Sequence, residues 1–495
     1  MLFLIVSCLV YVCEGSSILV VFPVPEKSHS VLGDSLVKTL LNAGHEVTYV
    51  TPYPKEKLPN LEYVDIASVV DLPDKEKLNE KDVSKDLQME VFGAKVTQLA
   101  LKHPNMQELM MNTTTHFDLV LAEWFYSGLL APLSSIFECP LIWYTSMDAS
   151  SKSLGLIHAA GSIASADLSI VQKIYQMWRQ LYFAYRNYYH FSSVEMSAYE
   201  DAYREAFESR RMSLPNYESL VYNSSMLFIN SHALLGEKHF LPSNAKYIAG
   251  HHIGDAVSPL PKNLKKLLDD SYEGVIYVAL ENNLINNDML EKLIQDFINV
   301  FGHMKQTIIW KCDEILVNLP KNVYIMKKPP QHSILNHPNT LIAINHGDMP
   351  SIISAMHYGV PVIGIPLFED QISNINSMIS KGYAVKVNLK EVLWKVEKAI
   401  GTILGNISYQ DNVKFSRSTL RHRLTSPRDE FLYWIQVVIN TQGALHLRSP
   451  PQASIPERYN LDILLLILLF IWFCTKVVKL FKIHFIEEDL EKKDA

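Results

Sequence analysis

Short apolar runs alternate along the chain with longer stretches whose apolar residues recur every three or four positions. Ile18 to Phe22 reads as a strand, Ser30 to Asn42 as an amphipathic helix and Val47 to Val50 as the next strand; Leu119 to Ala122 and Leu141 to Trp143 follow. A stretch rich in Tyr, Met and charge, Ile170 to Arg211, reads as helices that interrupt the alternation. It resumes with Met226 to Asn230, Val275 to Ala279, Ile308 to Trp310, Val323 to Met326, Ile342 to Ile344 and Pro361 to Ile365. Strands that are apolar throughout and separated by helices predict parallel sheets covered on both faces, hence an α/β, doubly wound architecture. At 495 residues the chain is too long for one core. Two Rossmann-like halves are expected, 16–250 and 251–445, with the boundary near Gly250 ahead of a linker marked by Pro259 and Pro261.

The two ends read differently. Residues 1–15 form an apolar run with small residues after it, the pattern of a secretory signal peptide. Residues 461–481 are expected to form one transmembrane helix, with Lys476 and Lys479 lifting their ammonium groups to the interface, and 482–495 a cytosolic tail. The expectation is a single-pass type I protein of the endoplasmic reticulum membrane with both halves lumenal. Sequons at Asn112, Asn223 and Asn406 and the dilysine-like ending Lys492-Lys493-Asp494-Ala495 agree with it. Cys8 and Cys13 fall in the signal and Cys474 in the span. Cys139 and Cys312, in distant segments, suggest neither a disulfide framework nor a cysteine metal site. With 45 basic and 52 acidic residues and a net charge of −7, the chain lacks the basic footprint of a nucleic-acid binder.

Ordered motifs along nearly the whole chain carry a family resemblance. They include FPVPEKSHSVLGDSLVKTLLNAGHEVTYVTP, FDLVLAEWF, FINSH, GVIY, the Pro330-Gln331 pair, HYGVPVIGIPLFEDQ and SPRDEFLYWIQVVINTQGALHLRSP. Together these resemble the UDP-glycosyltransferases, whose membrane-bound animal branch is the UDP-glucuronosyltransferases. The resemblance implies a GT-B fold, two Rossmann-like domains facing a cleft, with acceptor bound by the first and UDP-sugar, the co-substrate, by the second.

Residue chemistry supports particular roles within that frame. His29 lies between the carboxyl end of a strand and an apolar helical run, the usual ligand crevice of such sheets, and imidazole titrates near working pH, as a general base must. The family places an aspartate behind this base; Glu123 stands at the matching position with the same charge and one more methylene, whereas Asp118 reads as structural. In the donor half the family pattern THGGxxSxxE sets a histidine, glycine amides and a serine at a helix N-terminus to hold the diphosphate, with the glutamate on the ribose. His346, Gly347 and Ser351 match. Asp348 replaces the second glycine, Pro350 adjoins the serine, and Ser354 stands where the glutamate belongs. Lys328 replaces the tryptophan that stacks on uracil, and Glu281 and Asn282 replace the Gly and Ser of an upstream loop. Gln331, Asp370, Gln371 and Asn374 match the family, Asp370 and Gln371 resembling its pair that reads sugar hydroxyls.

The resemblance therefore implies inverting, metal-independent transfer of a hexose, glucose or glucuronate, to a hydroxyl of a small lipophilic acceptor. No DxD triplet occurs in the chain. A second class of function also fits the altered donor loop. In it the protein keeps the fold as a non-catalytic lipophile carrier or as the partner of an active relative; in either reading a homo- or hetero-oligomer with related transferases is an expected partner.

Overall fold

A computed structural model of the chain describes residues 15–71, 85–157, 192–236, 241–254, 257–280, 287–312, 316, 318–448, 465–466 and 468–479. Two all-parallel sheets form the frame. The first contains β1 (Ser17–Val21), β2 (Glu46–Thr51), β3 (Leu61–Asp65), β4 (Leu119–Glu123), β5 (Leu141–Thr145), β6 (Met226–Ile229) and β7 (Ala245–Tyr247), in the spatial order β3-β2-β1-β4-β5-β6-β7. The second contains β8 (Val275–Ala279), β9 (Thr307–Lys311), β10 (Val323–Met326), β11 (Thr340–Asn345), β12 (Val362–Gly364) and β13 (Ala384–Lys386), in the order β10-β9-β8-β11-β12-β13. Each order reverses once, between β1 and β4 and between β8 and β11. At such a reversal the two flanking crossovers leave to opposite faces, and a crevice opens at the strands' carboxyl ends.

The central strands β1, β4, β5, β6 and β8 are buried along nearly their whole length, and apolar except at ends such as Glu123, because helices cover both faces. β3 buries only Leu61 and Val64, and β7 and β13 have three residues each; all three are edge strands, absent from the apolar runs read in the sequence. The helix Lys27–Asn42 buries Leu32, Leu36, Val37 and Leu40, spaced to share one face, against the first sheet. It begins three residues earlier than the sequence pattern indicated. That places His29 in its first turn rather than in the preceding loop.

The chain crosses between the sheets twice. After the second sheet is complete, the helix Pro427–Asn440 buries Phe431, Ile435 and Val438 in one cluster with Ile18, Leu36, Leu121 and Phe228 of the first half. The segment 251–445 thus includes a helix that packs on the first sheet.

Asn112, Asn223 and Asn406 are exposed, Cys139 is a half-buried free thiol, and Cys312 is buried. Residues 468–479 are helical and expose Phe470, Trp472 and Phe473. Among the described residues no helix is long and apolar enough to cross a membrane. The expected signal, except for Gly15, the flanks of the expected span and the C-terminal tail lie outside the described residues.

Candidate active site

At the end of β4, Glu123 is buried, and its Oε1 accepts a hydrogen bond from His29 Nδ1 at 2.5 Å across 94 positions of sequence. A buried carboxylate on Nδ1 holds the proton there and leaves Nε2 as the basic nitrogen. Phe125 meets the imidazole edge-to-face at 5.1 Å between ring centres, fixing its plane. Glu26, the residue before the helix, brings Oε2 to 3.7 Å from His29 Nε2. Sequence reading passed over Glu26, although three residues separate it from His29, the spacing of one helical face.

The wall beside this pair is apolar. Val24, Met89 and Phe125 cluster with Phe92, Tyr126, Met147 and, from the second half, Phe368. The loop that carries Trp124, Phe125 and Tyr126 is tied down behind by Glu195, which accepts from Ser127 Oγ at 2.8 Å, Gly128 N at 3.1 Å and Tyr217 Oη at 2.9 Å. Burial raises the Glu195 carboxyl above its ordinary value despite these donors. Glu90 and Lys152 pair next to the loop, with the ammonium 5.8 Å from the Tyr126 ring centre.

The second half presents the carboxyl ends of β11 and β12. His346 Nδ1 donates to Ile365 O at 2.9 Å, which fixes the plane of its imidazole. Gly347 has φ of 88°, and a Cβ on it would lie 2.5 Å from Ile375 Cγ1; only glycine makes this turn without displacement. Asn374 Nδ2 donates to Gly347 O at 3.0 Å, and Gln371 Oε1 accepts from Leu367 N at 2.8 Å, so both brace the loops that frame the crevice. Gln331 opens the helix Gln331–Leu335 and accepts from Tyr277 Oη at 3.2 Å. Lys328 is exposed just beyond β10. Asn282 and Glu281 lie outside the described residues.

Asp348 is the N-cap of the helix Met349–Tyr358, and its Oδ2 accepts from Ser351 N at 3.1 Å. A carboxylate of the chain itself therefore takes one of the helix N-terminal N–H groups. Sequence reading passed over this cap, although an aspartate two residues before a proline at a helix start signals one. Ser354 is buried; its hydroxyl donates to Pro350 O at 2.9 Å and lies 3.3 Å from His252 Nε2.

Asp370 of the second half lies within electrostatic reach of His29 of the first. Its Oδ1 is buried without a hydrogen-bond partner among the described residues. Burial, with a smaller addition from Asp348, raises its carboxyl to about 6 against the backbone N–H groups of Gln371 and Asp370 and the nearby His29 of the first half. The structure thus brings together His29, Glu123, Asp370, Asp348, His346 and Gly347, and leaves Lys328 at the surface. Among the described residues no group of three or more His, Cys, Asp or Glu side chains could hold a metal ion.

Two facing doubly wound sheets, a buried histidine–carboxylate pair on one and a glycine turn with a helix N-terminus on the other, define a glycosyltransferase of the two-domain α/β class. Solved structures share the frame. The calicheamicin glycosyltransferase CalG4 superposes with a TM-score of 0.55 over 86% of this chain and 98% of its own, at 15% identity. A UDP-glucosyltransferase from Polygonum tinctorium gives 0.55 over 86% and 99%, at 14% identity. In sequence, the profile of the family described as UDP-glucoronosyl and UDP-glucosyl transferase matches residues 91–492. UDP-glucosyltransferase 2 of Dactylopius coccus is 29% identical over 90% of this chain and 88% of its own length. The ecdysteroid UDP-glucosyltransferase of Spodoptera littoralis nuclear polyhedrosis virus is 25% identical over 98% and 100%, and rat UDP-glucuronosyltransferase 2B15 is 28% identical over 58% and 52%. The chain belongs to the UDP-glucoronosyl and UDP-glucosyl transferase family.

Proposed function

We propose that this transferase moves a hexose from a UDP-sugar to a hydroxyl of a small lipophilic acceptor, with inversion at the sugar carbon and without a metal. The observation that carries the reading is the buried His29–Glu123 pair beside an apolar wall and across from Asp370. In this reading the acceptor rests on Val24, Met89, Phe125 and Phe368, and its hydroxyl proton goes to His29 Nε2. Glu123 stabilises the imidazolium that forms. The acceptor oxygen bonds to the sugar carbon as the bond to UDP breaks on the opposite face. The N-terminus of the helix Met349–Tyr358, beside the His346 imidazole, receives the diphosphate charge, and Asp370 and Gln371 hold the sugar hydroxyls. Glucose and glucuronate are the donors that the relatives' names support, and steroids are one lipophile class among their acceptors.

One observation favours a second reading, a lipophile-binding protein with feeble transfer. The Asp348 carboxylate already occupies a helix N–H and sets a negative charge where phosphate is expected. Heat protection decides between them. If UDP or a UDP-sugar raises the melting temperature of the purified protein, the donor site works; UDP-glucose, UDP-glucuronate and UDP-N-acetylglucosamine compared side by side then rank the donors. If none raises it at millimolar concentration while a lipophile does, the second reading stands.

The type I membrane topology, with both halves in the lumen of the endoplasmic reticulum, belongs to the same proposal. The exposed sequons and the apolar, outward-facing helix 468–479 support it. Deglycosylation of microsomal protein is expected to lower its mass, and protease added to intact microsomes is expected to spare the region of Asn223.

A further inference from the structure

The chain first passes from one half to the other through two adjacent histidines, and each is fastened to a different half. His251 Nε2 lies 2.9 Å from Tyr144 Oη on β5, Nδ1 lies 3.4 Å from Ser35 Oγ on the helix Lys27–Asn42, and the same hydroxyl donates to His251 O at 2.8 Å. Arg428, on the helix that returns to the first sheet, donates through Nε to His251 O at 2.7 Å and through Nη2 to Ile253 O at 3.2 Å. His252 points the other way. Its Nε2 reaches Ser354 Oγ at 3.3 Å, and its ring lies 6.1 Å from that of His332, both in the second half. Ser354, the residue that departs from the family pattern at the ribose position, is here the receiver of the linker.

We propose that His251 and His252 form a two-sided bolt that sets the distance between the halves, and hence between His29 and the donor loop, and that it holds only while both imidazoles are neutral. The titratable and charged groups acting on the pair give protonation no support. His251 faces Tyr144 and Arg428; His252 faces His251, His332, His357 and Arg428, with no carboxylate among them. Burial first, then Arg428, lowers His251 to about 3, and burial with the neighbouring histidines holds His252 well below its ordinary range.

The sign follows from linkage. A histidine kept neutral in the bolted state but solvated in an opened one contributes fully above about pH 6.5. It loses that contribution as pH falls below 6.5 toward its bolted-state value. Each histidine then favours opening about tenfold per pH unit, so the pair shifts the open-to-bolted ratio about a hundredfold between pH 7.5 and 5.5. Ser354 Oγ, which donates to Pro350 O, accepts the Nε2–H of neutral His252, leaving the buried Nδ1 unpartnered; a proton added there has no acceptor among the described residues.

This inference rests on the transferase reading only in its consequence for catalysis, and its test does not require turnover. Dyes attached through azide-bearing residues at the exposed positions 62 and 398 of the full-length protein report the distance between the halves by energy transfer. Transfer is expected to be constant from pH 8 to 7 and to change below about 6.5. The double substitution His251→Gln with His252→Gln is expected to abolish that change. Ser354→Ala, which removes only the receiver of His252, is expected to open the protein already at pH 7.5, and answers the question should the double variant fail to fold. A wild-type distance independent of pH between 8 and 5, the same pH response in the double variant, or a Ser354→Ala distance equal to wild type at pH 7.5 overturns the bolt. A pH-dependent distance in a protein that transfers no sugar overturns the transferase reading alone.

Discussion

His29 Nδ1 and Glu123 Oε1 stand 2.5 Å apart in a buried pocket, the imidazole on the first turn of a helix and the carboxylate at the end of the neighbouring β4. The bond places the imidazole's proton on Nδ1 and leaves Nε2, 3.7 Å from Glu26 Oε2, as the basic nitrogen. His29→Ala is expected to reduce turnover by about a hundredfold or more, the scale of a general base, with UDP affinity unchanged. Glu123→Gln is expected to be nearly as severe, because its amide can present an N–H to Nδ1 and so stabilise the tautomer with the proton on Nε2. Single-turnover rates beside UDP titrations check both; wild-type turnover in either variant removes the pair from the mechanism.

Asp348 caps its own helix through Ser351 N, so the charge that opposes phosphate also stabilises the free protein. Asp348→Gly is expected to cost only a few tenths of a kcal/mol in melting experiments without ligand, since glycine is tolerated at an N-cap. It frees the N–H and removes a charge whose repulsion of a phosphate oxygen at about 4 Å is on the order of 4 kcal/mol at an effective dielectric of about 20. UDP binding by calorimetry is therefore expected to tighten at least tenfold. Weaker binding in the variant would show instead that the carboxylate serves the donor.

Asp370 is lifted to about 6 by burial, with Asp348 adding to the effect. An ionised Asp370 accepts a sugar hydroxyl; a protonated one loses part of that capacity. The affinity ratio of UDP-glucose to UDP is expected to be constant above about pH 7 and to fall as the pH drops through 6. The ratio cancels what the two ligands share, including any opening of the linker. The conjugate effect on folding has the opposite slope: a carboxyl raised above its unfolded value favours the folded state most at low pH and loses that contribution as pH rises through 6. Asp370→Asn is expected to flatten the ratio.

Gly347 sits at φ 88° with no room for a methyl group beside Ile375. Gly347→Ala is expected to destabilise the protein by about 1–2 kcal/mol from the left-handed backbone alone, and more from the contact with Ile375. Chemical denaturation measures the loss. A variant as stable as wild type would mean that this loop relaxes freely.

Much of the frame was legible in the chain itself. Parallel strands covered on both faces must be apolar throughout, so β1, β4, β5, β6 and β8 stood out as continuous runs, and the periodicity of Leu32, Leu36, Val37 and Leu40 marked the helix that carries His29. The edge strands β3, β7 and β13 did not, because Leu61-Glu62-Tyr63-Val64-Asp65, Ala245-Lys246-Tyr247 and Ala384-Val385-Lys386 mix polar with apolar residues and form no continuous apolar run. Local sequence also carries the signal for the cap at Asp348, an aspartate two residues before a proline, which sequence reading passed over. What the tertiary structure decided is every relationship between distant positions. It joined Glu123 to His29 across 94 residues, set Asp370 against His29 from the opposite half, returned the helix Pro427–Asn440 to the first sheet, and fastened His251 and His252 to different halves. Periodicity states which face of an element is buried, whereas the partner of that face is chosen by the packing of the whole chain.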